Sequence, residues 1–246
     1  MSVSLLNNFF ECPWKWYFRN LLQLPEPKSE SLEFGNKVHS AVDEILKLKK
    51  VPTEKDLEKI VNGNKAVLKI VSKWVKNRLP EIADRRENEK SVSVVDDRFP
   101  HLTMYGKIDL IENLNAKEVR VTDFKTGSVR KKSEIEKMDE DPTNGARSRM
   151  SSYLRQLAMY SYLIKQSPKW KMEVSESRLE FLEAKNEKEI FYDRVITPKE
   201  IDLLVGDIKD YDKLVKDGAW VDRPCNYNSY GKNTVCEYCK MAEIYK

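Results

Sequence analysis

Asp123 and Lys125 stand two apart in "VTDFKTGSV", residues 121–129. Neither residue type is favoured in strands, yet the run reads as a strand entering a turn at Gly127. Alternation puts Val119, Val121, Asp123 and Lys125 on one face, so two charges end a core-facing row. On the preceding strand-like run, "LTMYGKIDLIE", Asp109 shares a face with Tyr105 and Lys107. If a hairpin pairs the two runs, Asp109 and Asp123 lie side by side. Neighbouring carboxylates repel, which pushes one towards protonation unless a cation intervenes. Hard oxygen donors suit Mg²⁺ or Mn²⁺. Lys125 beside such an ion could steady a hydroxide nucleophile. The competing reading is a buried Asp–Lys ion pair at a sheet end.

Two helical stretches carry further candidates. In "FGNKVHSAVDEIL", His39, Val42 and Leu46 fall on one stripe, with the imidazole at the edge of the buried face. A core histidine with satisfied hydrogen bonds reads equally well. In "SYLRQLAMYSYL", Tyr153, Gln156 and Tyr160 form a stripe, with Arg149 one turn earlier. A Gln flanked by Tyr can contact phosphate oxygens or bases; an ordinary amphipathic helix has the same pattern. His101, the other histidine, is assigned no role.

These groups need a scaffold, and the hydrophobic periods outline one. Residues 4–20 read as helix, kinked or restarted at Pro13. Residues 31–49 and 54–78 read as amphipathic helices. Strand-like runs follow at 91–99, 102–112 and 118–126, with "ENLNAKE" as a hairpin turn. Helix returns over 145–166, then strands within 171–184 and 189–196. A helix begins after Thr197, with Pro198 at its first position and Glu200 closing a capping box. The tail from Trp220 reads as irregular. This order predicts an α/β fold, a mixed central sheet flanked by helices. It is expected to form a single domain over 1–246, with a helical wing (1–80), a catalytic core (91–216) and a Cys-rich tail (217–246) packed on the N-terminal helix.

The 246 residues are 40% hydrophobic, with 44 basic against 40 acidic side chains. A net charge of +4 is compatible with nucleic-acid binding without establishing it. The apolar N-terminus lacks a basic leading region and is interrupted by Glu11, Lys15 and Arg19, unlike a signal peptide. No run is long and apolar enough for a membrane span. A cytoplasmic location is therefore expected, and Cys12, Cys225, Cys236 and Cys239 read as thiols or metal ligands rather than disulfides. Arg130, Lys131 and Lys132 follow the Asp–Lys strand, and Arg147 and Arg149 precede the Gln helix, where they could meet a phosphate backbone. Trp14, Trp16, Tyr17 and Phe18 are candidates either for base stacking or for the core.

"SLLNNFFECPWKWYFRNLLQLPEP", "FGNKVH", "YGKIDLIE", "VTDFKTG" and "SYLRQLAMYSYL" occur in the order seen in RecB/AddB-type nucleases of the PD-(D/E)XK superfamily, and the chain resembles that family from about residue 2 to 165. The branch includes helicase-linked nuclease domains, phage exonucleases and CRISPR-adaptation nucleases. The resemblance implies that His39, Asp109, Asp123 and the Phe124 backbone carbonyl are metal ligands and that Lys125 is the catalytic lysine. It further implies that Gln156 and Tyr160 support the site and touch DNA. The implied activity is Mg²⁺- or Mn²⁺-dependent hydrolysis of DNA, exonucleolytic on single strands or duplex ends, leaving 5′-phosphates. The alternative is a nuclease subunit active only within a helicase–nuclease or CRISPR-adaptation complex, with a helicase or recombination protein as partner. A DNA-binding scaffold with a decayed site is disfavoured by the intact His39, Asp109, Asp123 and Lys125.

Many members of the branch also carry a [4Fe–4S] cluster on one N-terminal and three C-terminal cysteines. Cys12, Cys225, Cys236 and Cys239 supply that number, though ten residues separate Cys225 from Cys236 where the family has a shorter spacing and a later third cysteine. Cys₄ zinc fits the same residues.

Overall fold

In the computed structural model the described residues are 1–25, 29–48, 50–140, 148–226 and 236–244. The chain starts as α1 (Val3–Glu11), capped by the Ser2 hydroxyl. Pro13 has no N–H to donate back into α1, so the helix stops and α2 (Pro13–Trp16) restarts with Pro at its first turn. Cys12 is the junction residue. Its Sγ caps α2 by accepting from the Lys15 N–H at 3.4 Å. A π-helical turn, Tyr17–Leu21, follows.

Next come α3 (Glu30–Lys47), α4 (Glu54–Ile60) and α5 (Lys65–Asn77). The expected helix over 54–78 is thus two helices. Asn62 and Gly63 take left-handed backbone angles, φ 48° and 74°, which end α4. Asn64 then caps α5 by accepting from Val67 N–H.

The strands are β1 (Arg86–Val95), β2 (Thr103–Asn113) and β3 (Glu118–Lys125). A short α6 (Lys132–Ile135) and the two-stranded ribbon of β4 (Met138–Glu140) and β5 (Ser148–Met150) lead into α7 (Ser152–Gln166). Then come β6 (Glu173–Phe181), β7 (Phe191–Arg194), α8 (Pro198–Lys216) and α9 (Glu237–Glu243). The capping box of Thr197 and Glu200 at the start of α8 is present. The tail is not wholly irregular, since α9 lies within it.

Among the described residues the main sheet has five strands in the order β1-β2-β3-β6-β7. β1, β2 and β3 form an antiparallel meander; β6 joins β3 in parallel after the α7 crossover, and β7 returns antiparallel. This is the expected mixed sheet flanked by helices. One face packs against α1, α7 and α8, through residues such as Leu6, Phe9, Val121, Leu154 and Leu204. The other packs against α3 and α5, through Val38, Val42, Val71, Trp74 and Phe124. The apolar stripes of these helices supply the burial that pins the sheet.

The sheet opens at one place. The β2–β3 ladder ends at Leu110↔Thr122. Up to that point Met104 and Ile108 pack on the α7 side; Leu110 then packs on the α3 side and Ile111 on the α7 side. Alternation therefore slips phase at Asp109, the residue that would face Asp123. Gly106 sets how close α7 comes. A Cβ there would sit 2.9 Å from Leu163 Cδ1 and 3.3 Å from Tyr160 Cε1.

Candidate active site

Asp109 fills the opening. Its Oδ2 accepts the Phe124 N–H at 2.7 Å, replacing a ladder bond. From α3, His39 Nδ1 comes within 3.6 Å of the same oxygen. Burial pushes the Asp109 carboxyl well above the usual carboxylate range, and the nearby Asp123 charge adds to this. Burial lowers the His39 pKa, against the pull of Asp123. A hydrogen bond with the Phe124 backbone also acts on His39, so the backbone of β3 turns towards the same point.

Asp123, on β3, is gripped from α7. Its Oδ1 accepts from Gln156 Nε2 at 2.6 Å and from Tyr160 OH at 3.1 Å. Gln156 Nε2 also reaches Tyr160 OH at 2.9 Å. Asp123 Oδ2 lies 2.7 Å from Lys125 Nζ as an ion pair, without a hydrogen bond's geometry. Lys125 Nζ in turn donates to Gln156 Oε1 at 2.7 Å and lies 5.4 Å from the centre of the Tyr153 ring. The i, i+4 spacing of Gln156 and Tyr160 puts both on the α7 face that meets β3. Burial alone would lower the Lys125 pKa; contact with Asp123 and the charges of Asp109 and Tyr153 together outweigh it, and the net shift is upward, which favours the cation. Burial, reinforced by the Asp123 charge, pushes Tyr160 well above its ordinary pKa, so it stays a neutral donor.

The structure thus brings His39, Asp109, Asp123, Lys125, Gln156 and Tyr160 together. It also adds a residue the sequence reading passed over. Glu89, on β1, has a carboxylate that lies with the His39 imidazole and the Asp109 carboxylate in one group, the ligand atoms all within 4.8 Å of one another. No hydrophobic pattern marked "RENEK" as strand, so Glu89 fell between the expected wing and core. A cleft of about 900 Å³ opens over this group, lined also by Asp43, Lys107 and Glu183. Part-buried carboxylates beside an imidazole, in an open cleft, form a donor set that fits a divalent metal.

The expected basic surface divides. Arg130, Lys131 and Lys132 are exposed. Arg130 hydrogen-bonds Tyr153, which places it one side chain away from Lys125. Arg149 does not belong to that surface. It is 5% exposed. Its guanidinium pairs with Asp207 at 2.7 Å and Asp210 at 2.9 Å and lies over the Phe10 ring. It ties β5 to α8 and α1, so its charge is already used. Arg147 lies outside the described residues. Trp14, Trp16 and Tyr17 pack with Trp220, and Trp16 also with Phe9 and Tyr211, as an aromatic cluster under the tail. Phe18 is buried beside Trp14. His101 pairs with Asp212 at 2.7 Å.

The four cysteines converge away from the cleft. Cys12 Sγ is 3.6 Å from Cys236 Sγ and 3.7 Å from Cys239 Sγ, and all four sulfurs lie within 4.8 Å of one another. Asn226 N–H bonds to the Glu11 carbonyl beside them. Burial raises the Cys12 thiol far above its usual range, and burial pushes Cys239 up to about 12. A cation reverses that preference by stabilising thiolates. With Zn–S bonds of about 2.3 Å, a tetrahedral zinc site has sulfurs about 3.8 Å apart. An iron–sulfur cubane needs its cysteine sulfurs about 6 Å apart, outside the four irons. The four sulfurs form a Cys₄ group that can take zinc or an iron–sulfur cluster, and their spacing is nearer to that of one tetrahedral ion.

Among the described residues no helix is long and apolar enough to cross a membrane.

Comparison with known proteins adds the following. A family model described as the PD-(D/E)XK nuclease superfamily matches residues 1–244. A search of curated proteins found no match. Among solved structures, the chain is similar to a "Putative exonuclease" from Eubacterium rectale. The TM-score is 0.55 at 13% identity, covering 98% of this chain and 87% of that one. SSO0001 aligns over 84% of each chain at 13% identity, with a TM-score of 0.32 too low to carry an argument.

Proposed function

The chain belongs to the PD-(D/E)XK nuclease superfamily, and from that premise we propose that it is a Mg²⁺- or Mn²⁺-dependent deoxyribonuclease, acting as an exonuclease and leaving 5′-phosphates. The observation that carries the reading is the closed chain Lys125–Gln156–Asp123–Tyr160, set against Asp109 where β2 and β3 part. An isolated Asp–Lys pair needs none of these supports. The fold likeness to a protein described as an exonuclease agrees with the choice of an end-directed activity.

His39, Asp109, Asp123 and the Phe124 carbonyl would hold the cation. When bound, it supplies polarisation of the phosphoryl oxygen and a water of lowered pKa. Gln156 and Tyr160 fix Asp123, so that its carboxylate need not reorganise during the reaction. Lys125 places a permanent positive charge where negative charge grows on the phosphoryl group. In-line attack by water on the phosphorus would break the P–O3′ bond, with the water losing its proton to solvent and the 3′ oxygen leaving protonated as a hydroxyl, so that the 5′ oxygen keeps the phosphate. Arg130, Lys131 and Lys132, exposed just after β3, would meet the backbone of the incoming strand.

The test is cleavage of end-labelled single- and double-stranded DNA by the purified chain, with Mn²⁺ or with EDTA. Stepwise release of 5′-phosphorylated nucleotides from ends, abolished by EDTA, is expected. Cleavage that persists in EDTA overturns the metal mechanism. Cutting of closed circles as fast as linear DNA overturns the exonuclease assignment.

For the cysteines we read a structural zinc that ties α2 to α9, supported by the sulfur spacing. Metal analysis of the aerobically and anaerobically purified protein should give about one zinc and no colour. Iron with a broad visible absorption would replace this reading with the cluster that the resemblance implied.

A further inference from the structure

Glu89 groups with His39 and Asp109 at the cleft, yet the proposed ligand set does not use it. Its backbone is unusual for mid-strand. φ is 49°, the left-handed region that a residue with a Cβ avoids. The β1–β2 ladder runs through Asn88↔Leu110 and Lys90↔Ile108 but skips the pair between them, Glu89 and Asp109. The same point in the sheet therefore loses its ladder bonds on both sides of Asp109. The result is that β1 delivers a carboxylate to the spot where His39 of α3 and Asp109 of β2 meet.

That carboxylate stands beside a second one, the part-buried Asp109, and beside the His39 ring. Among the described residues its ion-pair partner is Lys107, whose side chain is 61% exposed. Exposed ion pairs contribute little. They do not account for a strained backbone that brings three potential ligands from three elements within 4.8 Å.

We propose that Glu89 is a further ligand of the divalent cation, and that Lys107 is its counter-ion in the metal-free protein, displaced on loading. This rests on the nuclease reading above and adds to its ligand set an oxygen from a fourth element, β1. An additional carboxylate raises the charge and oxygen count of the site, which favours hard cations over zinc.

The experiment is Mn²⁺ binding to the metal-free, DNA-free full chain, measured by calorimetry and by the loss of the free-ion electron paramagnetic resonance signal. Wild type, Asp109→Asn, Glu89→Gln and Lys107→Met are compared. A ligand role predicts that only the first of the last two weakens binding. Glu89→Gln should weaken binding by about tenfold or more, whereas Lys107→Met should leave it equal or tighter, because the competitor is gone. If Glu89 merely balances Lys107, the two substitutions shift affinity alike or not at all, and the proposal fails. Wild type that binds no Mn²⁺ sinks the nuclease reading itself. Binding lost in Asp109→Asn but intact in Glu89→Gln sinks only the role of Glu89. Thermal unfolding checks that each variant folds. Should Glu89→Gln not fold, the same weakening is read on Glu89→Asp, which withdraws the carboxylate by one methylene.

Discussion

Replacing Lys125 with methionine is expected to slow Mn²⁺-dependent DNA cleavage by about 10²–10³-fold, the usual cost of one preorganised charge at a reacting centre. Mn²⁺ affinity should stay equal or rise, because Lys125 is a cation beside Asp123 and also acts on Asp109. Asp109→Asn should cost at least as much activity, but by the opposite route. The Asn oxygen can still accept the Phe124 N–H, so the fold survives while the anionic ligand is gone. Single-turnover cleavage and Mn²⁺ calorimetry on the same preparations separate the two cases. The assignment of Lys125 fails if its methionine variant cleaves within a few-fold of wild type. It also fails if that variant loses metal binding, since Lys125 would then be acting through Asp123 rather than on the phosphoryl group.

Why these residues were legible in sequence, and others were not, follows from range. Asp123 and Lys125 declare themselves locally. Alternation puts two charges at the end of a core-facing row, and the observed β3 has Val119 and Val121 packed on the α7 side with Asp123 bonded to α7. The stripe of Gln156 and Tyr160 is likewise a property of one helix. The hairpin joining β2 to β3 was readable from its turn. Glu89 was not, because "RENEK" carries no apolar alternation, and β1 holds it by pairing with β2 rather than by its own propensity. Arg149 was misread for a similar reason. A basic residue before the Gln helix looks like a phosphate contact until Asp207 and Asp210 arrive from α8, about sixty residues later. The break between α4 and α5 was present as Asn62-Gly63, but a continuous apolar period masked it. The helix α9 was hidden by the cysteines, which read as loop ligands.

The same long-range logic predicts the largest effect on stability. Arg78→Met is expected to destabilise the protein by about 3–5 kcal/mol, the range for removing one partner from a buried ion pair. Arg78 is 3% exposed and lies between Glu112 and Glu180, both fully buried. Its Nε is 3.1 Å from Glu180 and its Nη2 3.3 Å from Glu112. Trp74 Nε1 also donates to Glu180 at 2.7 Å, and Arg120 approaches Glu112 at 3.6 Å. Those contacts remain in the variant, but the charge shared between the carboxylates does not. For a chain of this size the loss corresponds to a fall in Tm of about 6–20 °C. The deficit should also depend on pH. Burial raises the Glu180 pKa above its ordinary value, and Arg78 is the strongest influence holding it down. Without Arg78 the folded-state pKa rises further, while the unfolded value stays near 4.3. A raised folded pKa means that stability is retained below the unfolded pKa and lost as pH climbs through the folded one. The variant should therefore be closest to wild type near pH 5 and furthest from it near pH 8, as read by urea unfolding at both values. A deficit below about 1 kcal/mol would mean that Trp74 and Arg120 suffice to hold the buried carboxylates. A deficit that shrinks as pH rises would mean that Glu180 is not the group left uncompensated.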